Sequence, residues 1–103
     1  YAIADGQSKV LISLLLANRS VSYRMYDVHR PSWTFDCTLD DTPYAAVDDA
    51  FVYALCDDGY KILDKENGSL VSSMPCADCS QAPVVFHDYV LAASKSQGFL
   101  LFD

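Results

Sequence analysis

At 103 residues the chain has room for one small domain, since compact domains usually run to about 100–150 residues. It is 51% apolar and 13% aromatic, which supplies a packed core and argues against disorder. A formal net charge of −7 argues against binding nucleic acid, which needs Lys and Arg on its phosphates, and against docking on anionic membrane surfaces.

The acidity has a particular form: 13 of the 14 acidic residues are Asp, and Glu66 is the one Glu. Asp favours turns and is a poor helix former, so the composition points to an all-β chain with many tight turns. In chain order, the first predicted group of strands is "YAIAD", "KVLISLLLA", "VSYRMYD" and "SWTFDCTL". Gly6, Asn18 and Pro31 punctuate it. Its apolar run, Val10 to Ala17, is far short of the ~20 residues needed to cross a bilayer, so no membrane insertion is expected. No secretory leader is visible either.

The second group reads "PYAAVDD", "FVYALCD", "GYKILD" and "SLVSSMPC", divided by Asp48-Asp49, Asp57-Asp58 and Asn67-Gly68. The third reads "APVVFHD", "YVLAASK" and "GFLLFD". No window has the apolar spacing of three and four that a helix requires. "FVYAL" is apolar on both faces, as a strand in a sheet covered on both sides would be.

The groups repeat. "YRMYD" (23–27) matches "YKILD" (60–64) at an offset of 37, and "GYKILD" (59–64) matches "GFLLFD" (98–103) at an offset of 39. Gly59 therefore falls on Gly98, and Asp27, Asp64 and Asp103 become equivalent strand ends. Cys37 falls on Cys76 and Asp49 on Asp88. A period near 40 that holds four short strands is the signature of β-propeller blades. The expected blades are 1–40, 41–79 and an incomplete 80–103; the rival fold is a small β-sandwich.

These repeats resemble those of the quinoprotein-like (PQQ-repeat) β-propeller family, which carry Ala-x-Asp-x-x-x-Gly-x-x-x-Trp. The second repeat offers Ile62, Asp64 and Gly68 at the matching spacing, with Val71 or Ser72 in the Trp position. The first offers Met25, Asp27 and Trp33, with Pro31 in the Gly position. The resemblance implies that the Asp caps the turn between third and fourth strands and that the Trp packs between blades. Because the repeats are degenerate, it carries the fold and not a quinone cofactor.

Candidate chemistry is sparse. Cys76 and Cys79, in "CADC", suit a disulfide or thiol pair, half a zinc site or a redox dithiol; Cys37 and Cys56 are expected as buried structural thiols. Such thiol usage slightly favours an intracellular location. The three Asp pairs are simpler as turn formers than as calcium ligands, and His29 and His87 have no nucleophile beside them in sequence. No catalytic, cofactor or metal residue is assigned. Both asparagines, Asn18 and Asn67, lie in Asn-x-Ser sequons, which leaves the secretory pathway open.

A propeller needs more blades than this, and the chain opens on Tyr1, so it is expected to belong to something longer. The expected role is a non-enzymatic scaffold or protein-interaction segment. Its partner would be a protein, the remaining blades of a parent chain, or a second copy. The alternatives are a fragment of a quinone-dependent oxidoreductase and a lumenal sensor domain that dimerises through an incomplete propeller.

Overall fold

The computed structural model describes residues 2–4, 8–28, 30–86 and 89–102. Every element in them is a β-strand, and every pairing is antiparallel between chain neighbours. The first sheet holds β1 (Ala2–Ala4), β2 (Val10–Leu15), β3 (Ser20–Asp27) and β4 (Arg30–Thr38), in that order. The second holds β5 (Ala45–Val47), β6 (Phe51–Cys56), β7 (Gly59–Asp64) and β8 (Leu70–Pro75). The third has β9 (Val84–Phe86), β10 (Tyr89–Ser94) and β11 (Gly98–Phe102), with β11 at its edge. The chain is thus all-β in three small sheets, with no closed barrel among them.

The turns explain why strands stop where they do. Asn18 and Arg19 both adopt φ near +60°, and the Ser20 N–H donates to the Ala17 carbonyl, which closes the β2–β3 hairpin in a tight turn. Arg19 is an unusual residue for left-handed backbone. Its guanidinium lies 3.8 Å from Asp40 and 3.4 Å from Asp57, and its carbonyl accepts the Leu39 N–H, so partners on other elements hold it there. Gly59 opens β7 at φ +131°, and a Cβ there would come 2.1 Å from the Met74 carbonyl oxygen. No other residue fits that hairpin.

The second sheet lies between the other two. Five of the six β6 residues, Val52 to Cys56, are buried, although successive side chains point to opposite faces. A strand can be buried on both sides only if both sides are covered. The largest fully buried side chains are Tyr23, Tyr60, Leu11, Met25, Leu55 and Leu63, which come from the first and second sheets. Their polar ends are satisfied: the Tyr23 hydroxyl donates to the Leu55 carbonyl, and the Tyr60 hydroxyl donates to the Gln81 carbonyl. Burial pushes the Tyr23 phenol well above its usual range, so it stays neutral and remains a donor.

All four cysteines are oxidised. Cys37 on β4 is bridged to Cys56 on β6, and Cys76 to Cys79. This corrects the reading of Cys37 and Cys56 as thiols. Each looked like an apolar strand residue in sequence, but β4 and β6 belong to facing sheets, and their Cα atoms lie 6.0 Å apart. The thiol argument for an intracellular location goes with it.

Candidate interaction face and the seams between sheets

The first seam joins the first and second sheets through Trp33. This residue on β4 is 9% exposed and lies against the β7–β8 turn, where its Nε1–H donates to the Lys65 carbonyl at 2.8 Å. Gly68 makes the approach possible: at φ +75°, a Cβ there would sit 2.5 Å from Trp33 Cδ2. Asp64 holds the same turn, its Oδ1 accepting the N–H groups of Glu66 (2.8 Å) and Asn67 (3.2 Å). The Gly68 N–H donates to the Asp64 carbonyl, and Lys9 reaches across to Glu66 at 3.1 Å.

The other repeat positions are more varied. Asp27 ends β3 with its Oδ1 accepting the Val28 N–H at 2.7 Å, a shorter-range cap than that of Asp64. That hydrogen bond is the main reason its carboxyl is held below the usual range. Gly98 opens β11 at φ +78°, in open space. Asp103 lies outside the described residues, as do His29, His87, Asp88 and Gly6.

The opposite end of the first seam is tied by the Cys37–Cys56 disulfide, by the Asp57 N–H donating to the Thr38 carbonyl at 2.8 Å, and by Arg19 against Asp57. The second seam differs at the matching places. Ser94 ends β10 as Cys56 ends β6, and both strands have six residues. With serine there, Cys76 is bridged instead to Cys79, which forms a β-bridge with Ser94. Asp78 secures this corner: its Oδ1 accepts the Ser94 hydroxyl and its Oδ2 accepts the Ser96 N–H, each at 2.7 Å. Hydrogen bonds from Ser96 and Ser94 lower its pKa. Cys76, Asp78 and Cys79 do cluster, but a disulfide leaves no thiolate to bind zinc.

Where the first seam has Trp33, the second has the small residues Ser72 and Ser73 of β8. A groove of about 530 Å³ lies there, lined by Asp48, Tyr53, Ile62, Ser72, Met74, Val90 and Phe102 among others. Its one carboxylate serves the local structure. Asp48 Oδ1 accepts the N–H groups of Ala50 and Phe51, and Oδ2 accepts the Tyr53 hydroxyl at 2.7 Å. Burial and this acidic neighbour raise the Tyr53 pKa. The remaining Asp pairs also serve turns: Asp41 accepts the Thr42 N–H, and Asp58 pairs with Lys61 at 2.9 Å. Among the described residues they gather into no calcium-type loop.

The far face of the third sheet is of another kind. Val84, Phe86, Tyr89, Phe99 and Leu101 are all exposed, with Phe99 at 75% and Leu101 at 60%. Register explains the patch: Leu91 pairs with both Leu101 and Val84, Ala93 with Phe99, and Tyr89 with Phe86, so apolar residues fill one face across all three strands. On the inner face Val90 and Ala92 are buried, with Leu100 and Phe102 packed against the core. Among the described residues no strand lies beside the outer edge of β11, where β3 and β7 have β4 and β8. No sequence motif marks this face; "YVLAA" and "FLLF" are unbroken apolar runs, so sequence places apolar residues on both faces of each strand without telling which is covered. Comparison with protein-family models, with curated proteins and with solved structures finds no match.

Proposed function

We propose that the chain is a segment of a larger β-propeller and acts as a non-enzymatic protein-interaction scaffold. The observation that carries this reading is the third sheet's outer face, a contiguous apolar surface next to an open strand edge. Faces of this kind mark association sites in soluble proteins. The stacking of sheets with Trp33 against Gly68 supports the propeller geometry, because the family resembled in sequence places its Trp between blades. The natural occupant is a further blade of a parent chain, or a protein strand added beside residues 98–102. The groups most suggestive of catalysis, the Asp pairs and "CADC", are taken up by turns and a disulfide.

The isolated chain is expected to self-associate. Sedimentation velocity across a concentration series checks this, and Phe99→Lys with Leu101→Lys should shift the distribution towards monomer. A compact monomer of the unmodified chain at high concentration would contradict the proposal. The two disulfides favour a second reading, a lumenal sensor domain that dimerises through this face, because such bonds persist in oxidising compartments. A discrete dimer in the same experiment would select it over open-ended association.

A further inference from the structure

We infer that Asn67 is an N-glycosylation site, and that the β7–β8 turn carries an N-linked oligosaccharide. The inference does not depend on the propeller reading. The chain has two asparagines and both are followed two residues later by Ser, although Ser and Thr together hold only 14 of 103 positions. Asn67 is exposed at the tip of the turn, and its neighbour Gly68 makes the contact with Trp33. The docking of the two sheets therefore does not use the asparagine.

The local geometry joins the parts of the sequon. The Asn67 Oδ1 accepts the Ser69 hydroxyl at 2.7 Å and the Ser69 N–H at 2.9 Å. A donor on the amide oxygen makes the amide N–H more acidic, which suits a nitrogen that must lose a proton as it attacks. The co-substrate is a lipid-pyrophosphate-linked oligosaccharide with its membrane-bound transferase. A bond forms between Asn67 Nδ2 and the anomeric carbon of the first sugar. The bond from that carbon to the pyrophosphate oxygen breaks, the electron pair leaves with the lipid pyrophosphate, and one amide proton passes to a base of the transferase.

The compartment agrees. The described structure has all four cysteines in disulfides, as expected of a chain matured in an oxidising lumen, which is where this donor is used. Asn18 has the same motif in a different setting. It sits at φ 60° in a tight turn whose next residue, Arg19, is held by Asp40 and Asp57.

The test is peptide mapping of the protein purified from the cells that make it, before and after an amidase that releases N-glycans. The expected result is a glycan on Asn67, conversion of Asn67 to Asp on release, loss of the glycan in Ser69→Ala and retention in Ser69→Thr. An unmodified Asn67 in the native protein, or a glycan that survives Ser69→Ala, would overturn the inference.

Discussion

Replacing Trp33 by Ala should destabilise the chain by about 3–5 kcal/mol, the usual cost of deleting a large buried aromatic side chain. Small domains have a total stability of about 5–15 kcal/mol, so this change alone removes a large share of it. The loss has two parts. The indole fills the space between β4 and the β7–β8 turn, and its Nε1–H donates to the Lys65 carbonyl. Trp33→Phe separates them: it keeps much of the packing, loses the hydrogen bond, and should cost about 1 kcal/mol, the usual net worth of one such bond. Urea midpoints of the three proteins read these differences. Equal stability of Trp33→Ala and the parent would show that the first seam does not depend on this contact.

The second large effect concerns the disulfides. Cys37 and Cys56 are separated by 19 residues in sequence, and closing a loop of that size in the unfolded chain is worth about 3 kcal/mol. Cys76 and Cys79, three apart, close a much smaller loop worth about 2 kcal/mol. Replacing Cys37 and Cys56 together by Ala should therefore lower the denaturation midpoint more than the same change at Cys76 and Cys79. The first pair also joins two sheets, so its loss should loosen the seam near Arg19 and Asp57. A smaller effect at 37 and 56 than at 76 and 79 would count against that picture.

Much of the secondary structure was legible because turn chemistry in this chain is explicit. "GYKILD", bounded by Asp57-Asp58 and the Asn67-Gly68 turn, is β7 residue for residue. "FVYAL", apolar on both faces, lies in the strand buried on both sides. The sequence reading overextends the first strands of the second and third groups. "PYAAVDD" yields only Ala45–Val47, because Asp48 leaves the strand to hold the turn into β6 with its carboxylate. The Cys37–Cys56 bond was not legible. Each cysteine reads locally as a buried apolar residue, and their meeting depends on how one sheet faces the next, which strand periodicity does not encode. Arg19 hid its role for the same reason, since the partners that hold its left-handed backbone are distant in sequence. The exposed face of the third sheet was half visible: Phe99 and Phe102 sit on opposite faces of β11, and only the fold shows that Phe99 is the uncovered one.

The first two sheets lie face to face, with β4 of one against β6 of the other. Peptide mapping by mass spectrometry under non-reducing conditions tests it most directly, because a covalent bond records which strands meet. The expected result is one linked pair of peptides containing Cys37 and Cys56, and one intact peptide closed between Cys76 and Cys79. Cys37 or Cys56 bonded to a cysteine of the "CADC" loop, or recovered as free thiols, would contradict the arrangement.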